Sequence, residues 1–193
     1  MIKRKEFIRK GLFFFALLLT VTQLVFAQDD DIYKKCEGKY FIIYYQPDID
    51  ILDILQKIDF GPSLHLLNKP VNGTKNLDVI LSKTIDELFL EVSDILDIHM
   101  YSFKGNIKIC RDLSTLNRIF DRIYNKNLNS PSFYINDINT VYISLADLKV
   151  GMLGHEMAHA IISHYFVVPP PMKVQEVLAG YVEYQLRKTG RKK

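Results

Sequence analysis

The sequence predicts an α+β domain in which a small mixed or antiparallel sheet packs against two helices. Short β-branched and aromatic segments alternate along the chain with segments of helical periodicity. Apolar residues make up 48% of the 193 residues, which is enough for a sizeable core. Near the C-terminus, two helical segments that carry histidine and glutamate flank the run Pro169-Pro170-Pro171, which must end the first helix.

The N-terminal segment 1–27 has the pattern of a secretory signal peptide. The first ten residues hold five basic side chains and one acidic one, whereas the rest of the chain is near neutral. An uncharged run rich in Leu and Phe follows, and Val25 and Ala27 suit cleavage after Ala27. The run of about 17 residues is shorter than the ~20 that span a bilayer comfortably. We expect a secreted or periplasmic protein with no membrane segment in its mature form; a retained N-terminal anchor is the alternative.

The charge of the rest of the chain and its cysteine content narrow the class of protein. There is no basic stripe, which argues against nucleic acid as a partner. Cys36 and Cys110 are an even count in an exported chain and permit one disulfide; two buried, reduced thiols are the alternative.

The N-terminal half of the domain predicts one strand and two helices. After a flexible leader over 28–38, the segment 39–45 is aromatic and β-branched and predicts a buried strand. A short helical pattern covers 49–58, and glycines and prolines mark 60–74 as a loop. Apolar residues then recur every three or four positions over 77–98, which predicts the longest helix of the chain, packed against the sheet.

The next segment predicts a strand, a helix and a hairpin. Residues 105–110 alternate polar and apolar side chains, as in a half-buried strand. Ser114 is the predicted cap of a helix that runs to about Asn125. The inward positions of this helix are Leu116, Ile119, Phe120 and Ile123. Two short strands, 132–136 and 140–144, then predict a hairpin.

A metal-binding pattern lies on the helix predicted to begin at Asp147. His155, Glu156 and His159 read H-E-x-x-H, and residues four apart share one face of a helix. Both imidazoles can therefore bind one zinc ion, which leaves an open position for water. Glu156 stands one residue further round, where it can act as general base on that water. A chance match on a buried helix is the alternative.

A catalytic zinc site needs a third protein ligand. His164 follows His159 by five residues, about 500° round the helix, and so faces away from the pair. Beyond the proline run, a helix over 174–187 would return antiparallel and bring Glu176 beside the histidines. Glu183 is the competing ligand, and the preference of acidic residues for helix N-termini is an alternative reason for Glu176.

Three blocks in order resemble the gluzincin branch of zinc metallopeptidases, and more closely the small peptidase-MA-like (minigluzincin) domain. They are the strand N-T-V-Y-I-S over 139–144, H-E-M-A-H over 155–159 and E-V-L-A-G-Y-V-E over 176–183. The resemblance covers about residues 106–186. It implies a zincin-like fold, the zinc ligands His155, His159 and Glu176, and Glu156 as general base.

The chain also departs from this family. Val177 replaces the usual glycine after the ligand Glu, and Gly180 stands where thermolysin-like gluzincins have an Asp that supports a ligand His. Support must come from elsewhere, either Glu183 or a backbone carbonyl. Donors to the developing oxyanion are unassigned; the candidates are Tyr181, which we favour, Tyr165 and His164.

These features predict an exported metallopeptidase that holds one Zn²⁺ per chain and cleaves a peptide or protein substrate. The domain spans 39–190, with a metallopeptidase-like core over 106–187 and a segment of unassigned role over 39–105. One strand of the hairpin would be the sheet edge that accepts the substrate as an added strand. The alternatives are a catalytically inactive zincin-fold binding or structural module, and a segment over 28–105 that covers the cleft.

Overall fold

The computed structural model describes residues 33–58, 74–128 and 130–190. The described residues belong to one compact unit that begins at Tyr33. The predicted signal peptide, the start of the leader and nearly all of the predicted loop over 60–74 lie outside the described residues. Across the part that is described, no helix combines the length and the apolar character that a membrane crossing requires.

The described residues form a mixed α+β fold, which confirms the predicted class. The elements, in chain order, are β1 (Lys34–Glu37), β2 (Phe41–Tyr45), α1 (Ile51–Lys57), α2 (Thr74–Leu96), β3 (Gly105–Cys110), α3 (Leu113–Tyr124), β4 (Ser132–Ile135), β5 (Thr140–Ser144), α4 (Val150–Tyr165) and α5 (Met172–Gly190). A single 3-10 turn, Asn136–Ile138, joins β4 to β5.

The five strands form one mixed sheet in the order β1-β2-β3-β5-β4. The three inner strands are parallel, and each outer strand is antiparallel to its neighbour. The predicted hairpin of β4 and β5 is confirmed. Of its two strands, β4 is the one that lies at the sheet edge, because β5 is bonded on its other side to β3.

Strand β1 lies within the segment predicted as a flexible leader, so that prediction is wrong over Lys34–Glu37. The segment pairs antiparallel with β2, from Lys34 opposite Tyr45 to Glu37 opposite Ile42. Only Cys36 is buried, and the three other residues of β1 are charged and exposed. Its conformation therefore depends on hydrogen bonds to a neighbouring strand and not on an apolar pattern of its own.

Two hydrophobic clusters lie on opposite faces of the sheet. Helices α1, α2, α4 and α5 cover one face, where they pack against sheet residues that include Phe41, Ile43 and Ile107. Helix α3 covers the other face with Leu116 and Ile119, together with sheet residues. The larger cluster includes Cys36 and the smaller one Cys110, so the two thiols lie on opposite faces and no disulfide joins them.

Helix α2 confirms the periodicity read from the sequence. It is the longest of the described helices, and it begins three residues before the predicted start. The predicted inward residues that it buries are Ile80, Leu81, Ile85, Leu88, Phe89 and Val92. The helix packs this face against the sheet and also contacts α4, so it supports the helix that carries the H-E-x-x-H pattern.

The starts of α3 and α4 differ from the predictions. Asp112, not Ser114, caps α3, because its carboxylate accepts a 2.8 Å hydrogen bond from the amide of Thr115. Ile123 is exposed and not inward, since it lies in the last turn, beyond the reach of the smaller cluster. Helix α4 begins at Val150 because Lys149 is extended; Asp147 instead accepts a hydrogen bond from the Ser144 hydroxyl.

Helices α4 and α5 pack closely because glycines of α4 face α5. A Cβ on Gly154 would collide with the side chain of Leu186, and one on Gly151 would come within 3.1 Å of the Glu183 side chain. Helix α5 buries Ala179, Val182 and Leu186 at helical spacing. This packing places the first turns of α5 beside the middle of α4.

Candidate metal centre

His155 and His159 project from one face of α4, as their spacing predicts. The two Nε2 atoms lie 3.2 Å apart, with the rings inclined at 67°. The His159 side chain is 11% exposed and that of His155 is 22% exposed. The pair therefore presents two nitrogen atoms toward a common point that remains accessible from one side.

Glu176 completes a cluster with these two histidines. Its Oε2 atom lies 3.5 Å from Nε2 of His155, and its Oε1 atom lies 3.5 Å from Nε2 of His159. One ligand atom from each of the three residues lies within 4.8 Å of the others. The antiparallel return of α5 after the proline run thus brings the predicted third ligand beside the pair, and the carboxylate is about half exposed.

The spacing of these atoms suits a tetrahedral zinc ion. With bonds of about 2.0–2.1 Å, two ligand atoms of a tetrahedral zinc site are about 3.3 Å apart. The two Nε2 atoms are 3.2 Å apart, and each lies 3.5 Å from one of the two oxygens of Glu176, which is close to that value. With a single oxygen from Glu176, the three ligand atoms lie within 4.8 Å of one another. Two imidazoles and one carboxylate are also the donor set of several catalytic zinc sites, and they leave a fourth position open.

The surroundings of His159 favour its neutral form, which is the form that binds metals. Burial lowers the pKa of His159 and the adjacent His155 lowers it further, while Glu176 and a hydrogen bond with the Gln175 side chain act in the opposite direction. Gln175 is itself buried, and its amide nitrogen donates a 2.8 Å bond to the carbonyl of Pro170. The amide oxygen of Gln175 is therefore the atom left to accept the hydrogen bond from the imidazole.

Glu183 lies behind His155, on the side of the ring away from Glu176. Its Oε2 atom is 3.6 Å from Nδ1 of His155, slightly beyond hydrogen-bonding distance. This Nδ1 atom is buried and has no hydrogen-bond partner. The carboxylate of Glu183 is the acceptor placed to orient that ring, which is the role that Gly180 cannot fill.

Glu156 is buried next to the two histidines and is 7% exposed. The hydroxyl of Ser132, in β4, donates a 2.7 Å hydrogen bond to its Oε1 atom. Burial raises the pKa of Glu156 to about 7; the bond from Ser132 opposes this shift, and the charges of Glu176 and Glu183 add to it. A carboxyl group poised near neutral pH is suited to accept and return a proton.

The three candidate oxyanion donors stand at different places, two at the end of α4 and one on α5. His164 packs edge-on against Phe103, and its Nδ1 atom lies 3.0 Å from the carbonyl of Ala160. Tyr165 is half exposed at the end of α4 and packs against a neighbouring ring. Tyr181 is half exposed and follows Glu176 by five residues, about 140° away round α5. The role of Tyr181 as oxyanion donor stays a prediction.

Sequence reasoning missed two residues of the site: Ser132, which contacts Glu156, and Gln175, which contacts His159. Ser132 reaches Glu156 only because the edge strand lies against α4, and nothing in its local sequence indicates this contact. Gln175 directly precedes Glu176, and a polar residue on the otherwise apolar face of α5 was the available indication.

The comparisons with known proteins give no relatives. No protein-family model matches the chain, and no curated protein and no solved structure matches it either.

Proposed function

We propose that this protein is an exported zinc metallopeptidase with a zincin-like fold. The observation that carries the proposal is the convergence of His155, His159 and Glu176 on one point, with the buried carboxyl of Glu156 beside them. A purely structural metal site would need only the ligands. A buried acid next to three ligands adds the one group that hydrolysis requires and a scaffold does not.

The proposed chemistry assigns a separate task to each residue. His155, His159 and Glu176 hold the zinc ion. When bound, the ion polarises the scissile carbonyl and lowers the pKa of a water molecule. Glu156 accepts the proton of the attacking water and returns it to the leaving amine. Glu183 and Gln175 restrain the two imidazole rings, and thereby fix the direction of their metal-binding nitrogens.

The sheet edge supplies a route for binding a peptide. Strand β4 has its second edge unpaired within the described sheet and lies directly against α4. An extended peptide added to this edge would gain backbone hydrogen bonds and run beside the metal centre. We therefore propose an extended peptide or unfolded protein segment as substrate.

The first experiment measures the zinc content of the chain from Gln28 onward by elemental analysis. We expect one zinc per chain in the wild type and a large loss in Glu176→Ala. Glu91→Ala, in α2, is the control for removal of a carboxylate elsewhere and should retain zinc. Absence of zinc from the wild type, even after zinc is added back, would refute the metal site and favour the zincin-fold binding module.

The second experiment separates catalysis from metal binding. Glu156→Gln should keep its zinc but lose hydrolysis of an internally quenched peptide library, by about 100-fold or more. A zinc-loaded wild type that cleaves no member of the library, or a Glu156→Gln variant with full activity, would contradict the peptidase assignment.

A further inference from the structure

We propose that Ser132 is a positioning residue for Glu156, and that the edge strand β4 thereby both receives the substrate and holds the general base. This inference rests on the proposed function. It assigns a role to a residue that neither the H-E-x-x-H pattern nor the downstream glutamate predicts.

The contact between the two side chains is short and buried. The hydroxyl of Ser132 is 2.7 Å from Oε1 of Glu156, and the two residues are 4% and 7% exposed. A hydroxyl bonded to a carboxylate belongs to the stronger class of hydrogen bonds. With water largely excluded, Ser132 is the hydrogen-bond donor that the structure shows for this carboxyl group.

The effect of this bond is to orient the carboxyl group. Glu156 has three rotatable side-chain bonds, and its oxygens could otherwise turn among several directions. Because Oε1 is held by Ser132, Oε2 is the oxygen left for the proton of the attacking water in the proposed function. The bond thus selects one orientation and assigns separate roles to the two oxygens.

Strand β4 is held by contacts with both β5 and α4, and these contacts fix the position of Ser132. Ser132 lies opposite Ile143 in β5, and the carbonyl of Pro131 accepts a 3.0 Å bond from Ser144. Two residues further along the same face of β4, the hydroxyl of Tyr134 lies 3.3 Å from Nδ1 of His164 in α4. The strand therefore contacts α4 at two points. A shift of the strand would also shift the carboxyl group of Glu156.

The catalytic test compares Ser132→Ala with Ser132→Thr, which restores a hydroxyl. With the best-cleaved member of the quenched peptide library as substrate, we expect Ser132→Ala to lower kcat by about 10–100-fold while KM and zinc content stay unchanged. Ser132→Thr should recover most of kcat. Ser130→Ala is the matched control, because the Ser130 hydroxyl accepts a bond from the Ser132 amide and does not contact Glu156.

A second measurement tests the contact without metal or activity. In zinc-free protein, urea unfolding of Ser132→Ala, Glu156→Ala and the double variant should show coupling of about tenfold in the unfolding constant. Additive losses would overturn the inference, as would full kcat in Ser132→Ala. If the wild type cleaves no peptide, the proposed function fails, and coupling in the cycle still supports Ser132 as the residue that holds Glu156.

Discussion

The carboxylate of Glu183 lies 3.6 Å from Nδ1 of His155, on the side of the imidazole opposite the metal-binding nitrogen. Glu183 follows Glu176 by seven residues, or about two helical turns, so both project from the same side of α5. One carboxylate therefore faces each nitrogen of the His155 ring. Arg187, one further turn along, lies 3.7 Å from the other oxygen of Glu183.

Replacement of Glu183 by Gln should weaken zinc binding. The neutral amide attracts the Nδ1–H of His155 less strongly than the carboxylate does, so the ring is held less firmly in its metal-binding orientation. Loss of such a support costs about 10–100-fold in metal affinity. Competition with a chromophoric chelator measures the change.

Arg187→Met is the control for this variant. An exposed ion pair contributes about 0–1 kcal/mol, so its removal should leave zinc affinity nearly unchanged. Equal losses in Glu183→Gln and Arg187→Met would assign the effect to the ion pair and not to His155.

Two glycines of the α4–α5 pair predict opposite effects of the same substitution. An added Cβ at Gly154 meets Leu186, which is fully buried and cannot move freely, whereas one at Gly180 meets nothing within 4 Å. Gly154→Ala should destabilise the fold by about 1–2 kcal/mol, since overpacking outweighs the gain in helix propensity. Gly180→Ala should stabilise it by about 0.5–1 kcal/mol.

Urea unfolding of the zinc-free variants gives both free energies. A stabilising Gly154→Ala would mean that α5 is not in close contact with α4 at Leu186. A destabilising Gly180→Ala would mean that the open space beside Gly180 is filled in solution.

The cap of α3 predicts a pH-dependent contribution to stability. The hydrogen bond from the Thr115 backbone amide is the main cause that lowers the pKa of Asp112. A lowered native pKa stabilises the fold above the unfolded value of about 4, and this stabilisation is lost as the pH falls through the native pKa. Asp112→Ala should therefore cost about 1 kcal/mol at pH 7 and progressively less below pH ~4.

Ser114→Ala is the matched control for Asp112→Ala. Ser114 is exposed in the first turn and, in the structure, is not the residue that caps the helix, so this change should be nearly neutral at both pH values. A larger loss of stability from Ser114→Ala than from Asp112→Ala would instead identify Ser114 as the cap, as the sequence predicted.

The two cysteines should be unreactive in the folded protein. Burial, assisted by the charges of Asp78 and Asp86, raises the pKa of Cys36 to about 12, so its thiol stays protonated at pH 8. Cys110 is fully buried on the other face of the sheet. Mass spectrometry after iodoacetamide treatment should show no adduct in native protein and two adducts in urea. Absence of adducts in urea, with a mass lower by two hydrogen atoms, would indicate a disulfide.

Part of the fold follows from local patterns. The periodicity of α2 and the alternation in β3 appear in the structure at nearly the predicted bounds, because each pattern reflects the burial of one face. Strand β1 was missed because a charged edge strand has no apolar pattern. The cap of α3 was assigned to the wrong residue because Asp112 and Ser114, both near the helix start, have side chains that can cap a helix.

The sequence by itself determined that His155 and His159 share a helix face and that Glu156 lies next to them, because fixed helical geometry converts spacing into direction. It narrowed the third ligand to a few residues. The tertiary structure decided the rest: the close approach of α5 placed Glu176 at the cluster and Glu183 behind it, and the order of strands brought Ser132 to Glu156. These contacts join residues far apart in the chain. They depend on the close packing of α5 against the glycines of α4 and on the position of β4 at the sheet edge.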